Sequence, residues 1–172
     1  MDGDFDQIRG SVASLLLLWS TIERSAREEV ARVNGGAVPK SAYGIAAVLG
    51  AWEDSVAAKR PTISLARSAA GQLNARLPAH LRVRNGICHG LDGVSSAHDG
   101  HSARLTWTIN GERGSIEWDD LQTSLRWLSR VPRAIWIISR SSSTAIGNRL
   151  LDDPQNREWW MAEFGLDLSR QV

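Results

Sequence analysis

The stretch LRVRNGICHGLDG, residues 81 to 93, sets a permanent cation, an amide and an imidazole within six residues: Arg84, Asn85 and His89. Imidazole titrates near neutrality and can take or give a proton. The arginine fork matches the oxygens of a phosphate or a carboxylate and keeps its charge throughout. Together they can move a proton while stabilising negative charge that develops at a reacting centre. On a helix turning about 100° per residue the two side chains lie about 140° apart, so a single helix makes them converge poorly. Two such helices related by a dyad would bring both pairs to one cleft. Asn85, about one turn before His89, is placed either to orient the imidazole or to contact a phosphate, or is a plain surface residue.

Projected on a helical wheel, Leu81, Val83, Ile87, Cys88, Leu91 and Val94 form an apolar arc, with Arg84 in its middle. Arg82, Asn85, His89 and Asp92 gather on the other side. An arginine directed into a core is costly unless a carboxylate meets it. Glu23, Glu53 and Asp54 are the candidates, and Glu53, beside the apolar stripe of its own helix, is preferred. Arg84 is then either a tie between helices or a cation with part of its fork free. Gly86 and Gly90 each cost a helix about 1 kcal/mol relative to alanine. Their spacing admits the close approach of another backbone, and a second copy of the same helix is the expected neighbour.

Cys88, His89, His98 and His101 raise the question of zinc, but adjacent helical residues diverge and neither usual ligand spacing is present. No metal and no cofactor is expected. Walker, dinucleotide-binding and nucleophile-elbow glycine patterns are absent from the sequence.

Helical periodicity runs from Phe5 to about Val33, with Asn34-Gly35-Gly36 as its stop. Further helices are expected over about 40–58, 63–77 (closed by Pro78) and 79–93. In the segment 103–118, alternating apolar residues flank Asn110-Gly111, which predicts a β-hairpin. Asp119 and Gln122 resemble a capping box that opens a helix to about Arg130. One helix follows from near Pro132, and a last one begins at Pro154. The expected fold class is mainly α, an antiparallel helical bundle with one inserted hairpin, in a single domain spanning residues 1–172.

Arg84-Asn85-Gly86-Ile87-Cys88-His89 resembles the Arg-x4-6-His motif of HEPN domains (higher eukaryotes and prokaryotes nucleotide-binding). GAWEDSV, Gly50 to Val56, is similar to a Trp-Glu segment on the preceding helix in several bacterial branches of that superfamily. The likeness covers these two motifs and the helical order of roughly residues 5–95; the hairpin and the C-terminal helices, about 119–165, have no counterpart in it. It implies a helical bundle that forms a homodimer through the Arg84–His89 helix. It further implies a metal-independent endoribonuclease of the toxin or antiphage-defence kind, in some cases held by a cognate antitoxin. The implied site is Arg84, His89, Asn85 and Glu53, with Arg82 binding RNA. Other members of the superfamily are catalytically inactive and bind a nucleotide or a protein partner.

Charge gives no support of its own to an RNA partner: 20 Lys+Arg stand against 19 Asp+Glu, a formal net charge of +1. Nucleic-acid affinity comes mostly from phosphate contacts, so a local patch is required, for which Arg76, Arg82, Arg84 and Arg104 are candidates. The basic residues are nearly all arginine, with Lys40 and Lys59 the exceptions. A lone cysteine, an acidic N-terminal segment and no apolar run of membrane-spanning length predict a cytoplasmic protein without a membrane partner. Eight tryptophans in 172 residues suggest that some face a second copy.

Overall fold

A stripe of Ile8, Leu15, Trp19, Ile22, Ala26 and Val30, each at most 2% exposed, draws α1 into one helix over Phe5–Val33. The expected bounds hold, because apolar residues recur at helical spacing without a break and Gly35 and Gly36 take positive φ beyond the end. The computed structural model describes residues 5–58, 64–97, 102–141, 151 and 153–168. Within them α2 spans Ile45–Ala58, α3 Leu65–Gly90, β1 Leu91–Ser95, β2 Arg104–Ile109, β3 Glu112–Glu117, α4 Trp118–Leu128, α5 Val131–Arg140 and α6 Pro154–Phe164. The protein is mainly helical, with a small antiparallel sheet in the order β1-β2-β3.

Five local expectations need correction. Pro78 does not separate two helices but lies inside α3. Its ring removes one backbone donor, yet the side chain is exposed, while Ala69, Ala70, Leu73 and Leu77 are buried on the preceding turns. Packing outweighs the proline. α3 then ends at Gly90 rather than Gly93, because Leu91–Ser95 pairs with β2, in the register Leu91↔Trp107 and Val94↔Leu105 with an irregularity between Leu91 and Gly93. The expected hairpin is therefore two strands of a three-stranded sheet. The second helix starts at Ile45, not Lys40, after Gly44 at φ +89°. No capping box forms: Glu117 is the N-cap of α4 without a side-chain bond, and Gln122 donates to Ser11 Oγ at 2.9 Å. The Trp118 N–H is satisfied by the Ala103 carbonyl at 2.8 Å.

Two features read from sequence hold closely. Asn110 and Gly111 both take positive φ, +53° and +82°, as a two-residue hairpin turn between Ile109 and Glu112 requires. Pro154 stands at the first helical position of α6, as expected, and Asp153, which the sequence reading did not name, caps that helix by accepting from the Gln155 N–H.

The chain divides into two compact units, each discontinuous in sequence: Met1–Ser20 with Pro78–Ser129, and Thr21–Leu77 with Arg130–Val172. In the first, Ile8, Leu15, Trp19, Ile87, Leu105, Trp107, Leu121 and Leu128 are buried. In the second, the buried set includes Trp52, Leu73, Ile135, Trp160 and Phe164. Trp52 Nε1 donates to Ser139 Oγ at 2.8 Å, which in turn donates to the Ile135 carbonyl at 2.7 Å. Glu29, 5% exposed, accepts from Arg32 at 2.7 Å and from Arg140 at 3.2 Å. Among the eight tryptophans, Trp19, Trp52, Trp107 and Trp160 are buried, Trp118, Trp127 and Trp159 are half-buried and Trp136 is exposed, so half of them serve the chain's own core.

Among the described residues no helix is long and apolar enough to cross a membrane.

Candidate functional site

The site-bearing segment is the last two turns of α3, in the first unit. Gly86 and Ile87 are buried, Arg84 and Asn85 are half-buried, and Arg82, Cys88 and His89 are exposed. The buried arc is thus displaced from the one the wheel predicted: Cys88 faces solvent, and the glycine side faces inward. β2 causes the shift. A Cβ on Gly86 would overlap the indole of Trp107, and one on Gly90 would overlap the Thr108 carbonyl oxygen. Gly114 of β3 is also pressed against that indole. The close approach that the two glycines permit is therefore made by a strand of the same chain, and not by the glycine face of a second α3.

With the glycine side closed, Arg82, Asn85, Cys88 and His89 form the accessible arc, and Arg84 sits at its edge rather than in the middle of a core. Arg84 Nη1 donates to Asn85 Oδ1 at 3.0 Å. Its Nε is buried and has no hydrogen-bond partner. Arg84 has no ion pair among the described residues. Asn85 therefore holds the guanidinium, a role outside the three read from sequence, which were orienting the imidazole, contacting a phosphate or lying plainly on the surface. His89 stands exposed one helical turn after Asn85, about 140° round the helix from Arg84.

Glu53 lies on α2, in the second unit, and finds its partner there. Its Oε2 accepts from Asn74 Nδ2 at 2.6 Å, and its Oε1 would lie 3.3 Å from a Cβ on Gly71. Both of the residues expected to pair with each other, Arg84 and Glu53, thus have hydrogen bonds inside their own units. Of the other arginines considered for a basic patch, Arg76 donates to the Phe164 carbonyl at 2.7 Å, while Arg104 is half-buried on β2.

Among the described residues no group of three His, Cys, Asp or Glu could hold a metal ion. His98 and His101 lie outside the described residues.

Sequence reasoning missed a second cluster, on α5. Arg133 and Trp136 are exposed, the Arg140 guanidinium lies over the Trp136 ring at 5.4 Å, and that of Arg133 over Trp159 at 5.7 Å. The signal was present as Arg133-x2-Trp136-x3-Arg140, a spacing that puts all three on one helical face.

No protein-family model matches this chain, and no curated protein or solved structure resembles it closely enough to count as a match.

Proposed function

We propose that the protein is a metal-independent endoribonuclease of the HEPN kind, acting as a homodimer in which two copies of the Arg84–His89 arc face each other. The observation that supports this reading best is the accessible imidazole of His89 one turn after Asn85, which holds the Arg84 guanidinium, on a side of α3 that the protein's own sheet leaves open. RNA supplies its own nucleophile. The 2′-OH attacks the adjacent phosphorus, the bond from phosphorus to the 5′-oxygen breaks, and a 2′,3′-cyclic phosphate remains. His89 takes the proton from the 2′-OH, and an imidazole returns one to the departing 5′-oxygen. Arg84 stabilises the charge on the phosphorane. Arg82, exposed on the same arc, binds the RNA backbone. Glu53 acts through its hydrogen bond to Asn74 as a support of the helix pair in the second unit. A toxin or antiphage role, with or without a cognate antitoxin, and a cytoplasmic setting follow from this reading.

A second reading, a catalytically inactive module that binds a nucleotide or a protein partner, is favoured by the Arg84–Asn85 bond, which occupies part of the fork. One experiment separates the two. Purified protein is incubated with end-labelled RNA in EDTA, and the product ends are analysed. The nuclease reading expects cyclic phosphate ends, lost in His89→Ala while that variant keeps its fold. Equal cleavage by His89→Ala removes the histidine mechanism. No cleavage, with retained binding of a nucleotide, moves the protein to the second reading.

A further inference from the structure

We infer that the exposed face of α5 is a platform for single-stranded nucleic acid, with Trp136 as the base-stacking residue and Arg32, Arg133 and Arg140 as the contacts for the backbone. The inference stands apart from the nuclease reading, because it concerns a different surface and requires no reaction.

Four observations on the second unit carry it. First, α5 is two-sided: Ala134, Ile135, Ile137 and Ile138 are at most 3% exposed, while Arg133, Trp136 and Arg140 fall within about 60° of one another on the opposite side. Second, Trp136 is 50% exposed and is the only large hydrophobic residue of α5 left so. An exposed indole flanked on its own helix face by two arginines differs from the apolar centre of a protein interface, which is depleted of charge. Third, the Arg140 guanidinium covers the Trp136 ring at 5.4 Å, and its Nε is fixed on Glu29 Oε1 at 3.2 Å. The stack is therefore anchored before any ligand arrives.

Fourth, two of the cations share a single carboxylate. Both oxygens of Glu29 are in use, one by Arg140 and the other by Arg32 Nε at 2.7 Å. Arg32 and Arg140 thus share one buried carboxylate, and Arg133 lies on the same face of α5 as Arg140, so the cations here outnumber the carboxylate they engage. A planar aromatic flanked by cations is what an unstacked base and its backbone require: the base lies on the indole, and the arginines track the phosphates. A duplex offers no free base face to such a platform.

The test uses the intact chain and a short fluorescein-labelled single-stranded DNA of mixed sequence. DNA has no 2′-OH, so binding is read whether or not the protein cleaves RNA. Fluorescence anisotropy should show that Trp136→Ala weakens binding by about ten-fold, that Trp136→Phe keeps most of it, and that the matched duplex binds more weakly. Arg133→Ala should lower the slope of log affinity against log salt by about one phosphate contact. Both positions are exposed, and circular dichroism confirms that each variant is folded. Equal binding by Trp136→Ala, or by the duplex, overturns the platform. So does sedimentation that shows a dimer lost in Trp136→Ala, which would make this face a contact with a second copy.

Discussion

The contact between Gly86 and Trp107 can be weighed by adding one methyl group. In an ordinary helix interior, glycine to alanine stabilises by about 1 kcal/mol. Here the new Cβ would fall within the Trp107 indole, which is only 6% exposed and is pressed against Gly114 as well. A rigid ring next to two glycines has little room to move, and overpacking of this kind costs about 1–3 kcal/mol, more when backbone has to shift. Gly86→Ala should therefore destabilise the protein by about 2 kcal/mol after the helical gain is subtracted. For a chain of this length that lowers Tm by roughly 4–8 °C.

Gly90→Ala should be worse, since its Cβ would meet the Thr108 carbonyl, backbone of a strand paired on both sides. Gly10 provides the internal control. It lies in α1 with nothing within 4 Å of its absent Cβ, so Gly10→Ala should raise stability by about 0.5–1 kcal/mol. Urea denaturation of the three variants, with thermal melts by circular dichroism, measures all of this. A double-mutant cycle with Trp107→Phe should show coupling of at least about 1 kcal/mol, because the smaller ring makes room for the methyl group. If Gly86→Ala melts at or above the parent protein, the strand does not close the glycine side of α3. The assignment of Arg82, Asn85, Cys88 and His89 to the open side then fails with it.

Arg84→Leu should leave stability within about 1 kcal/mol of the parent, since the substitution removes a buried Nε that has no partner and Glu53 keeps its bond to Asn74. RNA cleavage by that variant should fall to background, and cleavage at the parent rate would make the arginine a packing residue only. Glu29→Ala should cost about 2 kcal/mol in urea titrations, because it leaves Arg32 and Arg140 without the buried carboxylate that both engage. Both arginines are partly in solvent, which keeps the loss below that of a fully buried pair. No change in the urea midpoint would mean that solvent already screens the three charges.

The parts of the fold that could be read from sequence are those in which local chemistry and packing agree. α1 combines a helical apolar stripe with a glycine stop, Asn110-Gly111 supplies the two positive φ values of a tight hairpin, and Pro154 supplies a first helical residue. The failures come from long-range terms. Pro78 reads as a terminator until the buried face of the preceding turns is known, and Asp119 and Gln122 read as a capping box until Gln122 is drawn to Ser11. Leu91 and Val94 satisfy a helical wheel and a strand equally well, and only their pairing with Trp107 and Leu105 decides. At the candidate site the residue types were legible, but their neighbours were not. Side chains of adjacent helical residues diverge, so the helical wheel does not announce the Arg84–Asn85 bond, and nothing local tells Glu53 to bond Asn74, twenty-one residues away.

The glycine pair carries the most consequence for function. Two glycines four residues apart announce a close approach, and the sequence has the same form whether the approaching backbone belongs to another molecule or to the same one. A strand about twenty residues downstream makes the approach here, with Trp107 set over Gly86 and the Thr108 carbonyl over Gly90. The absent side chains thus fix which way the helix faces. With Gly86 and Gly90 committed to the sheet side, rotation of α3 that buried His89 would bring the sheet against a side chain where it now meets hydrogen atoms. His89 is held in solvent by what its neighbours lack. A phosphate, or a second imidazole from another copy, has to reach it across the arc of Arg82, Asn85 and Cys88. A bulky substitution at exposed Cys88 would consequently obstruct that approach while leaving the contacts of the glycine side untouched.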